Sequence, residues 1–276
     1  LSIAQPIVLK MEEKTLIKSC LEGNKQSLEK LINSIQSLVF NLSLRFLWNR
    51  MDAEDATQEI LIKVITNLSK YDGRSKFSTW AYRIATNYLI NLKQTSLERT
   101  FTSFDIFSAD LNSNKELTSY DQADKDLLEK EMKTSCTLAM LQCLDRDLRM
   151  AFILGSVLKI KSNVASNIVE TTPENFRKRL ELSRKLIGGF LNSHCGVYNT
   201  KNKCRCNKRI NSAISSRRII RSNLFFADKI ESYNEEMEEL NSMSGIYQNH
   251  GTFVSESEFF EELNKILTTK KILNTH

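Results

Sequence analysis

Apolar positions recur three and four residues apart along most of the chain, the period of a helix with one buried face. The stretch SLEKLINSIQSLVFNLSLRFL (27–47) shows it, and after Asp52 a second stripe is formed by Ala56, Ile60, Val64 and Leu68. Asp52 is placed to cap the amide of Asp55, and acidic Glu54 and Asp55 suit the positive end of that helix. Asp55, Gln58, Glu59 and Ile62 then share its outer face. In FSTWAYRIATNYLINLK (77–93), Phe77, Ala81, Ile84, Ala85, Tyr88 and Leu92 form the expected buried stripe. Opposite lie Thr79, Arg83, Thr86 and Ile90, flanked by Tyr82 and Asn87, with Trp80 on the shoulder. Rings, amides and cations on one face suit unstacked bases, base edges and phosphates. Rings at this spacing also serve as ordinary core packing. The preceding Asp72-Gly73-Arg74-Ser75-Lys76 adds a flexible basic loop and tilts the balance toward single-stranded nucleic acid.

A third periodic stretch, KIKSNVASNIVETTPENFRKRLELSRKLIGGFL (159–191), breaks into two helices. Val164, Ala165, Ile168 and Val169 make the apolar face of the first. Glu170-Thr171 turns the chain, Thr172 caps the second helix, and Pro173 takes its favoured first position. Phe176, Leu180 and Ile187 face inward, while Glu174, Asn175, Arg177, Lys178, Glu181, Arg184 and Lys185 face out. A short helix, a tight turn and a cationic second helix fit a helix-turn-helix that enters the major groove. A charged pair in a helical bundle is the competing reading.

The chain divides into a helical block (12–93), a Ser-, Asn- and Asp-rich acidic linker (94–132), a second helical block (133–192), and a tail (193–276) that begins HCGVYNTKNKCRCNKR. Only 8 Gly and 2 Pro leave little turn punctuation, so the expected fold is all-α, with two helical domains and a helical C-terminal extension. The net charge of +6 is segregated: from 196 to 227 the charged side chains are all basic, and from 228 to 262 acidic ones dominate. Ile230, Tyr233, Met237 and Leu240, then Phe259, Phe260, Leu263, Ile266 and Leu267, place helical stripes in the acidic part, which is expected to fold and to shield a cationic surface or simply stabilise the chain. No apolar run reaches the length of a membrane span and no basic-then-apolar leader is present, so no membrane partner and a cytoplasmic location are expected. Residues 1–10 precede Met11, a candidate start, and receive no function.

Six Cys at irregular spacing suggest free thiols, metal ligands or redox chemistry rather than a disulfide framework. His194, Cys195, Cys204 and Cys206 offer four donors in one short segment, enough for zinc. The spacing is not a pair of CxxC knuckles, and adjacent His194 and Cys195 would have difficulty reaching one ion. A zinc site, reversible thiol oxidation and a reduced structural hairpin remain open, and no other cofactor is expected. There is no phosphate-cradling Gly-rich loop, and only His194, His250 and His276 could serve as bases near neutral pH, so no enzyme is expected.

DAEDATQEILIKVITNL, then YDGRSKFSTWAYRIATNYLINLK, a linker and a terminal helix-turn-helix together resemble a bacterial alternative sigma factor of the extracytoplasmic-function (ECF) type, over roughly 27–191. The Cys-rich tail resembles a subgroup carrying such an extension. The resemblance implies a transcription initiation factor that binds core RNA polymerase and promoter DNA. It implies that Asp55, Gln58 and Glu59 dock on the clamp helices of the polymerase's largest subunit. It places Arg74, Lys76, Trp80, Tyr82, Arg83 and Asn87 at the minus-ten element, and Asn175, Arg177, Lys178 and Glu181 at the minus-thirty-five element. The acidic linker would thread the polymerase's basic channels. An anti-sigma factor is a further partner the resemblance allows. Glu170 in the turn and Asn163 depart from the family pattern and leave the promoter sequence open. The alternative is a sigma-like adapter or anti-sigma-type regulator that binds protein without reading promoters.

Overall fold

The computed structural model describes residues 5–94, 99, 103–112, 122–215, 218–222, 224, 226, 253–255, 259–261, 263 and 265, and among them no β-strand occurs. The first block supplies α1 (Gln5–Leu21), α2 (Lys25–Asn33), α3 (Gln36–Leu47), α4 (Arg50–Thr66) and α5 (Phe77–Asn91). Helix α4 starts earlier than the sequence suggests. Its cap is Asn49, whose Oδ1 accepts from the Asp52 amide at 2.9 Å, so Asp52 is in the first turn and does not cap Asp55. There its charge suits the helix dipole instead. The expected stripe Ala56, Ile60, Val64 and Leu68 is buried, and Ala53, Thr57 and Leu61 widen it.

The stretch 94–132, expected as a linker, contains α6 (Phe104–Asn112) and the first half of α7 (Gln122–Gln142). Its polar composition conceals a short apolar stripe: Phe107 and Leu111 are buried, and the rings of Phe104 and Phe107 lie 5.1 and 5.5 Å from that of Phe190. In α7, Leu128 and Met132 pack with Ile210, Ala213 and Ile219 of the tail. The acidic stretch also neutralises the basic tail directly. Asp110 accepts from Arg209 at 2.8 Å and from Arg218 at 2.7 Å, and Asp124 pairs with Arg221 at 3.0 Å. In this chain those carboxylates meet the protein's own cations.

The second block continues with α8 (Arg146–Phe152), which runs into a π-helical turn at Ile153–Val157, then α9 (Ser162–Ile168) and α10 (Pro173–His194). The tail adds α11 (Cys206–Ser215). One continuous apolar core runs through both blocks and takes in Phe253, Phe259 and Leu263 near the C-terminus. Helix α5 is the shared wall: α3 and α4 pack on one side, α8 and α9 on the other. Two arginines of α8 fasten this junction by meeting helix-end carbonyls, where positive charge is favoured. Arg146 donates to the carbonyls of Ile90 (2.9 Å) and Leu92 at the end of α5. Arg149, buried, donates to Phe46 at the end of α3 (2.9 Å) and to Leu141 and Leu144 at the end of α7 (3.0 and 3.1 Å).

Candidate nucleic-acid interface

An open groove of about 630 Å³ runs between α4 and α5. Helix α4 and the turn after it contribute Lys63, Asn67 and Lys70, and α5 contributes Trp80, Ile84, Asn87, Tyr88 and Asn91, followed by Lys93. Trp80, Ile84, Asn87 and Asn91 follow each other at three- and four-residue intervals, so they line one strip of α5. The Lys63 ammonium lies 5.7 Å from the centre of the Tyr88 ring. Tyr71 and Phe77 support Trp80 from behind, with ring centres at 5.5 and 5.7 Å. The groove thus combines three cations, three amides and two aromatic rings, Trp80 and Tyr88, the lining that a single strand needs for phosphate, base-edge and stacking contacts.

The helix is rotated relative to the expectation. Its buried residues are Phe77, Ala81, Ala85, Thr86 and Leu89, whereas Ile84 and Tyr88 turn toward the groove. Thr86 lies inside because α8 covers it, and its Oγ1 meets Met150 Sδ at 3.7 Å. Of the six residues expected at the minus-ten element, Trp80 and Asn87 line the groove. Arg74 and Lys76 are exposed in the preceding loop, where Gly73 takes φ +70° and Asp72 holds Arg74 through its amide at 3.0 Å and through its guanidinium. That positive φ suits glycine, which has no Cβ to clash.

Tyr82 and Arg83 belong to the opposite side. Arg83 Nε donates to the Asn167 carbonyl of α9 at 3.1 Å. Burial pushes the Tyr82 hydroxyl up to about 12, opposed by the field of Arg45, while part of the ring stays exposed. Lys63, Lys70, Tyr88, Asn91 and Lys93 were missed. Their signal was present as the 80, 84, 87, 91 spacing, but Ile84 and Tyr88 read as core without knowledge of what packs on each side.

On α4, Asp55 and Glu59 are exposed and Gln58 is half-buried, so the expected outer face is intact. Glu54 beside it is bonded to Arg50 at 2.9 Å and accepts from Ser255 Oγ at 3.2 Å. Helices α9 and α10 are a short helix and a longer one joined by the turn at 169–172. Ala165, Ile168, Phe176, Leu180 and Ile187 are buried, and Thr172 caps α10 by accepting from the Asn175 amide at 3.2 Å. Glu170 turns the chain with φ +51°, a conformation that glycine adopts more easily. Asn175, Arg177, Lys178 and Glu181 are exposed together near the start of α10, and Lys178 pairs with Glu174 at 2.8 Å.

At the far end of α10, the four donors expected from the tail do not converge as a set. The His194 ring packs on Phe190 at 4.6 Å and does not line the cavity that Cys195, Cys204 and Cys206 border. Among the described residues no three His, Cys, Asp or Glu side chains stand in ion-holding geometry, and no helix is long and apolar enough to cross a membrane.

Residues 31–96, which hold the groove and the acidic face, match the family described as Sigma-70 region 2. The chain is 25% identical over 180 residues to the ECF RNA polymerase sigma-E factor of Haemophilus influenzae, covering 64% of this chain and 94% of that protein. It is 25% identical over 179 residues to the RNA polymerase sigma-H factor of Pseudomonas aeruginosa, covering 64% of this chain and 92% of that protein. The ECF RNA polymerase sigma factor SigW of Bacillus subtilis is 35% identical over 83 residues, 30% of this chain and 44% of SigW. The chain is similar to the ECF sigma factors. The α4–α5 groove falls inside the region-two match. The 64% coverage leaves about a third of the chain outside these alignments.

Proposed function

We propose that the protein is a promoter-specificity subunit that binds core RNA polymerase, directs it to particular promoters and helps open the duplex. The observation that carries this reading is the groove between α4 and α5, with its cations, amides and stacked rings, set inside the region-two match. Residues 12–93 act as region two and α8 to α10 as the domain that reads the upstream element. Asp55, Gln58 and Glu59 dock on the polymerase. Trp80 and Tyr88 stack on bases of the separated strand, Asn87 and Asn91 meet base edges, and Lys63, Lys70, Lys93, Arg74 and Lys76 hold phosphates. Stacking available only to an unpaired strand favours the open duplex. Asn175, Arg177, Lys178 and Glu181 face the minus-thirty-five element from the first turns of α10, where a helix-turn-helix meets base edges. Arg83 fastens α5 to the second block.

The test is transcription by core RNA polymerase, with and without the protein, on a library of promoter fragments followed by sequencing of the transcripts. The expected result is starts that depend on the protein and share a pair of upstream elements. Starts unchanged by the protein overturn the reading.

A further inference from the structure

Helix α5 begins without a cap of its own. Lys76 stands at the capping position and its side chain makes no hydrogen bond to the helix, while Asp72, the carboxylate nearest in sequence, is turned to Arg74. The acceptor comes instead from α1. Glu13 Oε1 accepts from the Phe77 amide at 3.0 Å, across 64 residues of sequence. A carboxylate there satisfies an amide that the helix itself leaves unpaired and meets the positive end of its dipole.

The same oxygen reaches the aromatic group beside the groove. The Tyr71 hydroxyl lies 2.9 Å from Glu13 Oε1 and 2.6 Å from the Ser75 carbonyl, and shares its proton between these two acceptors. Burial raises that hydroxyl above the usual tyrosine value, and the bond to Glu13 and the carboxylate's charge raise it further, so it stays a donor. Tyr71, Phe77 and Trp80 form a closed triangle with ring centres 5.6, 5.5 and 5.7 Å apart. Glu13 therefore holds two corners of the triangle, Tyr71 by its hydroxyl and Phe77 by its backbone, and the third corner is Trp80 at the groove. Glu13 is itself anchored. Ile17, one turn further along α1, is buried in the core, and a Cβ on Gly73 would meet Lys14 Cε at 3.3 Å, so α1 runs against the basic loop.

We propose that Glu13 is a positioning residue for duplex opening, fixing the start of α5 and the triangle of Tyr71, Phe77 and Trp80 so that the Trp80 indole stands ready for a base. Glu13 touches no nucleic acid itself and acts through the three rings. An indole already fixed by its neighbours costs a binding strand less ordering than one that must be immobilised on contact. The inference rests on the reading of the α4–α5 groove as the strand site. It goes beyond that reading because α1 lies before the region-two match, which starts at residue 31, and contributes none of the groove's lining residues.

The test uses the full chain with core RNA polymerase and reads permanganate reactivity of the minus-ten region alongside closed-complex affinity. Glu13→Ala is expected to lower the opening equilibrium about fivefold, the scale of one lost helix cap, with closed-complex affinity and helicity unchanged. Glu13→Gln keeps an oxygen that accepts both bonds and is expected to recover most of the opening. In the double variant Glu13→Ala, Trp80→Ala, opening is expected to be no worse than in Trp80→Ala alone, because Glu13 acts through that ring. A residue that merely stabilises the fold would lower opening equally in both backgrounds. Equal losses in the two backgrounds overturn the proposal and leave the strand site standing, as does full opening in Glu13→Ala where Trp80→Ala impairs it. Full opening in Trp80→Ala overturns both. If Glu13→Ala fails to fold, Glu13→Asp decides. It keeps the charge but is one methylene shorter and withdraws from the Phe77 amide, so unchanged opening in that variant overturns the proposal.

Discussion

Trp80 and Tyr82 are two residues apart on one helix and have opposite surroundings. Trp80 leans on Tyr71 and Phe77 and borders the groove, so Trp80→Ala should impair duplex opening more than closed-complex binding. A lost base stack of about 1–3 kcal/mol corresponds to roughly 5- to 150-fold in the opening equilibrium. Permanganate footprinting of the minus-ten region reads it, and undiminished reactivity would remove Trp80 from the strand site. Tyr82→Phe should leave opening unchanged, because that residue sits near Arg45 of α3 and does not line the groove. The Tyr82 hydroxyl also bears on pH dependence. Its folded value is raised from 10.0 to about 12, and burial raises the Cys143 thiol from 9.0 to about 12. Both groups hold their protons more tightly when folded, so their contribution is fully present below about pH 9 and is lost as pH rises toward 12. Urea midpoints measured from pH 7 to 11 should decline on the alkaline side. The Tyr82→Phe, Cys143→Ser pair should flatten that decline, and an identical slope in the double variant would discount both groups.

Helix α5 shows what an amphipathic helix becomes when it has partners on more than one side. Its periodicity is visible, yet its rotation is set by α8 and α9, which cover Thr86 and engage Arg83. Helix α10 carries its signals locally. Thr172 and Pro173 start it, and Thr172→Ala should cost about 1 kcal/mol of stability in chemical denaturation. Lys178→Ala should weaken upstream-element binding by about 1–3 kcal/mol in a sequence-dependent way if the ammonium meets a base edge. A loss equal across all sequences in a binding titration would mark a phosphate contact instead. Helix α6 is the element that composition concealed. Asp110 in it accepts from buried Arg209 and from Arg218. Asp110→Ala would strand a buried cation and should cost about 3–5 kcal/mol in urea unfolding, whereas an exposed linker carboxylate would cost almost nothing.

At the scale of the molecule, Phe253, Ser255 and Phe259 sit on the first helical block. Asn41 bonds both backbone groups of Phe253, at 2.7 and 2.8 Å, while the Phe259 ring lies 6.1 Å from Phe40. Ser255 reaches Glu54, next to Asp55 on the face assigned to polymerase. Truncation after Asn223 should therefore raise transcription and polymerase binding if this segment shields that face. Unchanged or lower activity would make it a stabilising extension. The helical stripe expected at Ile230, Tyr233, Met237 and Leu240 lies outside the described residues, as do Ile266 and Leu267. Charge reversal at Asp55 and Glu59 should weaken the complex with core polymerase while leaving helicity unchanged, and equal recovery of polymerase by the double variant would refute the assignment.

The sequence by itself determined the helical character, the outer face of α4, and the short helix, turn and capped helix of α9 and α10. Each depends on neighbours within a turn or two: apolar spacing, a capping Thr172, a proline at the first position. It also carried the resemblance to the ECF sigma factors, through the order and spacing of its two helical blocks. Tertiary structure decided which side of α5 is open, why an acidic stretch folds into α6 and α7, and that Cys136, with sixty or so residues between it and the tail, shares a cavity with Cys195, Cys204 and Cys206. Those outcomes depend on burial against distant partners and on charges that meet only after the chain has closed. Spacing along one helix carries no information about what will pack on its second face.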